Sequence, residues 1–120
     1  MALSKREKKV LALGRLPAGV MNKTEAAFAQ HLEMLKRAGE IIQYDFEPET
    51  FKLAKKTSYT PDFRVLTANR DLIFYDVKGF WRDDARAKIK ICAEQNPMYR
   101  FIAVKKAKQN WEIEEFTQGE

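Results

Sequence analysis

The periodicity of this chain changes once, just after Gly39, and that change limits the fold more than any other feature. Before it, in "NKTEAAFAQHLEMLKRAGE", Phe28, Leu32 and Leu35 recur at spacings of four and three, which is one face of a helix, and Gly39 supplies a stop. After it, short runs that are alternating, aromatic or β-branched take over. "IIQYDF" and "ETFKLA" read as a pair of strands with Pro48 at the turn between them. "YTPDFRVL" and "DLIFYDVK" read as a second pair joined by "TANR", whose Asn69 suits a turn. Helical spacing then returns in "DDARAKIKICAEQ", with Ala85, Ile89, Cys92 and Ala93 on one face, Asp83 or Asp84 as the natural cap and Pro97 marking the end. "RFIAVKK" and "WEIEEF" close the chain as strands, the first apolar enough to lie inside a sheet. Helix, four largely antiparallel strands, helix, strand, strand predicts an α/β fold, a mixed sheet flanked by helices.

The 120 residues suffice for one modest core. We therefore expect a single domain over 21–120, preceded by a basic arm over 1–20 that carries Lys5, Arg6, Lys8 and Lys9. Twenty-two lysines and arginines against 17 aspartates and glutamates give a net charge of +5 and a pI near 9.4, so the surface leans toward polyanions such as nucleic acid. Cys92 is the only cysteine, which excludes an internal disulfide. The opening "MALSKREKKVLALGRL" has too short an apolar run for a secretory signal or a membrane span. The expectation is a soluble, cytoplasmic protein. No Gly-rich phosphate loop and no paired-cysteine metal motif occurs.

"DLIFYDVKGF" places an acid and a lysine at the end of an apolar strand. Alternation puts Phe74, Asp76 and Lys78 on one face and Ile73, Tyr75 and Val77 on the other. By themselves Asp76 and Lys78 read equally as a local ion pair where the strand meets solvent. Asp62 of "TPDF" changes that balance, because a short connection between the two strands would set Asp62 beside Asp76. Carboxylates so placed repel unless a cation or proton lies between them. Mg²⁺ needs only one or two carboxylates, completed by waters and phosphate oxygens. Lys78 would stand at the edge of such an ion, able to hold the attacking water or to stabilise charge on a scissile phosphate. Glu25, three and seven residues before Phe28 and Leu32, faces the core from the first helical turn. It fits a capping box with Asn22 and a place in the site alike.

With the acidic helix in front of them, "TPDF" and "FYDVKGF" resemble the PD-(D/E)XK nuclease superfamily. The longer stretches "MNKTEAAFAQHLEMLKRAGEI", "YTPDF" and "DVKGFWRDDARAKIK" are similar to small phage and prophage proteins assigned there as endonucleases or Holliday-junction-resolvase-like proteins. The similarity runs over about residues 20 to 105. It implies a restriction-endonuclease-like α-β-β-β-α-β core and a Mg²⁺-dependent endonuclease, with Mn²⁺ as an alternative ion. Asp62 and Asp76 match the metal-binding acids, Lys78 matches the lysine that acts on the nucleophilic water, and Glu25 matches the supporting helical acid. The Val77 carbonyl is a further ligand candidate. The chain departs from the commonest pattern in having aspartate rather than glutamate at 76. The implied substrate is DNA, branched or otherwise structured. Because cutting both strands calls for two sites, a homodimer is expected. The competing expectation is a basic nucleic-acid-binding accessory protein of the same fold without catalysis.

Beyond the centre, "GFWRDDARAKIK" joins aromatic and basic residues. Trp81, Arg82, Arg86 and Lys90 are expected to contact nucleic acid, the aromatic by stacking and the cations through phosphates. Phe80 is expected to close the core. His31 falls off the apolar stripe and is expected at the surface, and Cys92 reads as an inert core thiol.

Overall fold

A computed structural model describes residues 19–79 and 83–117. Most of the basic arm expected over 1–20, with Lys5, Arg6, Lys8 and Lys9, therefore lies outside the described residues, as do Phe80, Trp81 and Arg82.

The first helix, α1 (Lys23–Arg37), begins and ends as its sequence dictates. Asn22 and Glu25 form a reciprocal capping box: Asn22 Oδ1 accepts from the Glu25 N–H at 2.8 Å, and Glu25 Oε1 accepts from the Asn22 N–H at 2.9 Å. At the other end Gly39 takes φ +79°, and the N–H groups of Gly39 and Glu40 donate back to Lys36 O and Leu35 O. This left-handed turn satisfies carbonyls that the helix leaves open, and glycine adopts it without steric cost.

Seven strands follow: β1 (Ile41–Phe46), β2 (Phe51–Ala54), β3 (Thr57–Tyr59), β4 (Phe63–Thr67), β5 (Leu72–Lys78), and then, after α2 (Asp83–Gln95), β6 (Arg100–Lys106) and β7 (Trp111–Glu115). The main sheet has the order β1-β4-β5-β6-β7, while β2 and β3 form a separate hairpin. The sheet is mixed. β5 runs antiparallel to β4 and parallel to β6, and the parallel pair is joined through α2, the long crossover that such a pair needs.

Two local expectations are corrected. "IIQYDF" does not pair with "ETFKLA": β1 pairs with β4, and β2 pairs with β3. Glu47 is the reason. Its left-handed φ of 47°, with its N–H bonded to Asp62 O at 2.7 Å, turns the chain away from the sheet before β2 begins. "YTPDFRVL" is two strands rather than one, because Pro61 has no N–H to donate and interrupts the ladder between Tyr59 and Phe63. In "TANR" the turn stands where expected, with Asn69 in it, and Arg70 is its left-handed residue (φ 71°). The described part of α2 begins at Asp83, next to residues outside those described, so the cap expected at Asp83 or Asp84 lies at that boundary.

The alternation of β5 and β6 divides the interior in two. Ile73, Val77, Ile102 and Val104 pack with Phe28 and Leu32 of α1, and Phe74, Phe101 and Ala103 pack with Ile89, Cys92 and Ala93 of α2 and with Leu53 and Tyr59 of the hairpin. The central strands are thus covered on both faces. Complete burial of rings such as Phe63, Phe74 and Phe101 stabilises the fold by about 1.5–3 kcal/mol each. Asp76 lies on the α2 face and is 3% exposed, the one buried charged residue among those described.

Candidate functional site

The strand register brings the acids together. Phe63 stands opposite Tyr75, and Asp62, one residue before β4, is fixed through its main chain: its N–H donates to Tyr75 O at 3.0 Å, and its carbonyl accepts from Glu47 N at 2.7 Å. Its side chain turns to the α2 face, where Oδ2 accepts from the Val77 N–H at 2.7 Å. Asp76 emerges on the same face one residue earlier than Val77. Tyr59 donates its hydroxyl to Asp76 Oδ1 at 3.2 Å. Asp76 Oδ2 has no hydrogen bond of good geometry, but Lys78 Nζ lies 2.7 Å from it.

Burial next to a like charge dominates the electrostatics. Loss of water pushes the Asp62 carboxyl up to about 8; the negative charges of Asp76 and Glu25 add to this, and the Val77 amide opposes it. Asp76 is also raised by burial, against the pull of Lys78 and of hydrogen bonds from Tyr59 and Asp62. The pair is therefore driven to keep a proton or admit a cation rather than carry two full negative charges. Glu25 lies close enough to Asp62 to raise its carboxyl further, and it also serves the capping box.

The acids open into a cleft of about 280 Å³ lined by Tyr59, Thr60, Asp62, Asp76, Lys78, Asp84, Ala85 and Lys88. Larger hollows lie between α2 and β7, about 460 Å³, and between α1 and the β6–β7 hairpin, about 450 Å³, but neither gathers opposed acids around a buried carboxylate. Among the described residues, no three His, Cys, Asp or Glu side chains form a ready-made metal cage. What the cleft offers an ion is a pair of carboxyls and one buried oxygen, Asp76 Oδ2, that lacks a hydrogen bond. This donor set is all oxygen, suited to a hard cation that keeps much of its water.

The residues expected to meet nucleic acid are dispersed. Arg86 is held by Glu114 of β7, and Arg86 and Lys90 line the hollow between α2 and β7 rather than the cleft of the acids. The helical cation in that cleft is Lys88, four residues after Asp84 and hence on the same side of α2. Trp81 and Arg82 lie outside the described residues. His31 rests half-buried on Phe28, ring centroids 5.7 Å apart, and takes no part in the cleft. Two participants escaped the sequence reading, Tyr59 and Thr60. The only signal for Tyr59 was its place three residues before Asp62 in "YTPDF".

Fold and cleft together define an α/β protein in which a mixed sheet presents two neighbouring aspartates and a lysine at the end of its central strands. The chain belongs to the family described as "Protein of unknown function (DUF1064)", which it matches over residues 19–114, a span that includes Glu25, Asp62, Asp76 and Lys78. No curated protein and no solved structure matches it.

Proposed function

We propose that this protein is a Mg²⁺-dependent endonuclease of the PD-(D/E)XK type that hydrolyses phosphodiester bonds in DNA, with Mn²⁺ able to replace Mg²⁺. The observation that carries this reading is the opposition of Asp62 and Asp76 in an open cleft, with Lys78 Nζ 2.7 Å from the Asp76 oxygen that lacks a hydrogen bond. Two neighbouring carboxyls, Asp76 buried and Asp62 partly so, are costly to hold together. The order of elements supports the same reading. With the β2–β3 hairpin set aside as an excursion, the chain runs α1-β1-β4-β5-α2-β6, the α-β-β-β-α-β order implied by the resemblance.

In this mechanism Asp62 and Asp76 would hold the ion, Glu25 would support Asp62 from the helix, and the Val77 carbonyl, whose own residue already directs its N–H to Asp62, would be a further ligand candidate. A bound ion would supply a water that ionises near neutral pH and a Lewis acid for a phosphoryl oxygen. Lys78 stands at the rim, where it would position the attacking water and offset charge growing on the phosphate. The water oxygen would form the new bond to phosphorus while its proton passes to bulk solvent, the bond to the leaving sugar oxygen would break, and that oxygen would take a proton from solvent water. Action on both strands of a duplex or junction requires two such centres, as in a homodimer. The place of action in this reading is the cytoplasm, in contact with DNA. Among the described residues no helix is long and apolar enough to cross a membrane.

The test is cleavage of labelled duplex, single-stranded, flap and four-way-junction DNAs with Mg²⁺, Mn²⁺ or EDTA, by wild type and Asp76→Ala. Metal-dependent cutting of at least one substrate, abolished in the variant, is expected. If wild type binds these DNAs and cuts none, the protein is a binding module and the enzyme reading is wrong. If the variant still cuts with metal, the centre lies elsewhere.

A further inference from the structure

The β2–β3 hairpin stands apart from the main sheet, and its two sides differ in chemistry. The inner side is anchored: Leu53 and Tyr59 are buried, Leu53 O accepts from Gln95 Nε2 of α2 at 3.0 Å, and the Tyr59 hydroxyl reaches Asp76. The outer side and the tip expose Lys52, Lys55 and Lys56, with the left-handed residue of the turn at Lys56 (φ 63°). The segment "FKLAKKTSY" contains three lysines and no acid.

These lysines are also uncompensated. Among the described residues none of the three takes part in an ion pair, whereas Arg37, Arg64, Arg86 and Arg100 are each held by an acid. Glu49, the acid just before the hairpin, is taken by Arg64. A short two-stranded arm has little stability of its own, and three unpaired like charges on it lower that further. The arrangement is explained if a polyanion supplies the missing charge.

We propose that the hairpin is the arm by which this protein grips the nucleic-acid backbone beside its cleft, with Lys52, Lys55 and Lys56 on successive phosphates. The role rests on reading the cleft as a nuclease centre. At a strand rise of about 3.3 Å per residue the tip lies at most about 20 Å from Asp62, a reach of about six nucleotides at 3.4 Å each. The Tyr59–Asp76 hydrogen bond ties this arm to the metal-binding acid, so the phosphates it holds keep a fixed offset from the bond to be cut. Lys88 continues the positive track into the cleft from α2.

The test is binding of wild type, of K52Q/K55Q/K56Q and of the control K36Q/K108Q to fluorescein-labelled duplex and single-stranded DNA and to duplex RNA. Anisotropy is read in EDTA over a range of NaCl concentrations, and KM is measured on whichever DNA is cut. All five positions are exposed, and urea midpoints equal to wild type verify that each variant is folded. Loss of three phosphate contacts is expected to reduce the salt slope by about 2.7 and to weaken binding roughly 100-fold at 0.1 M salt, with the control close to wild type. The DNA and RNA arms identify which backbone is held. A hairpin variant with wild-type affinity and slope overturns the proposal while leaving the nuclease reading intact, and so does an equal loss in the control. If wild type binds but does not cut, the nuclease reading fails and the anisotropy still decides the role of the hairpin. If wild type binds no nucleic acid, both are overturned.

Discussion

Replacement of Asp62 by asparagine isolates the cost of holding two carboxyls together. The amide introduced by Asp62→Asn retains an oxygen for the Val77 N–H but can neither ionise nor repel Asp76. In the wild-type fold the Asp62 carboxyl titrates at about 8, against 3.8 as the ordinary value. A raised acid favours folding at low pH: below about pH 4 the carboxyl is protonated in both states, and between about 4 and 8 only the folded chain keeps the proton, so stability falls as pH rises. At about 1.4 kcal/mol per pH unit the full span would amount to about 5–6 kcal/mol. Water reaching Asp62 from the cleft screens the repulsion, so we expect a loss of about 2–3 kcal/mol between about pH 5 and 8.5. Urea unfolding in EDTA at a series of pH values measures it. Ending the series near 8.5 keeps it below about 9, where the Cys92 thiol starts to ionise in the unfolded chain, burial having pushed it up to about 11 in the fold. The variant should lose less than half as much, the remainder coming from Asp76, and should be more stable than wild type at the alkaline end. Parallel curves for the two proteins, or a wild-type stability that is flat or rises with pH, would refute a proton held between Asp62 and Asp76.

Divalent metal should reverse this dependence. Mg²⁺ should raise the unfolding temperature more at about pH 8.5 than at about pH 5, and titration calorimetry near neutral pH in buffers of different ionisation enthalpy should register proton release on binding. Lys78→Met leaves Asp76 without its counter-charge. Because Lys78 is a quarter exposed, we expect a loss of about 2 kcal/mol by urea unfolding rather than the 3–5 kcal/mol of a fully enclosed pair, and a fall in metal-dependent cleavage rate of roughly 100-fold or more. Gly39→Ala places a Cβ at φ +79° with no atom within 4 Å to clash with it, so its cost is backbone strain alone, about 1 kcal/mol, measurable as a lower urea midpoint with unchanged DNA binding.

The parts of the site that could be read from sequence depend on short-range geometry. Alternation placed Asp76 and Lys78 on one face, a short turn set β4 against β5, and the register Phe63–Tyr75 then left Asp62 little choice but to meet Asp76. Glu25 was readable for a similar reason, since one turn of helix decides both its cap and its facing. The hairpin was not readable in this way. Whether "FKLA" extends β1 or folds over α2 is a competition between distant partners. It is decided by where Phe51, Leu53 and Tyr59 find apolar cover, and Phe51 finds it against Phe74 and Phe101 at ring distances of 5.1 and 5.7 Å. That long-range choice brings Tyr59 onto Asp76 and the three lysines beside the cleft. The meeting of the two acids thus follows from local strand pairing. The hydroxyl that reaches Asp76 and the three lysines proposed to hold a backbone follow from how a short excursion packs on the opposite layer, so in the proposed reading sequence change in residues 51–59 would alter substrate preference while the carboxylate pair stays in place.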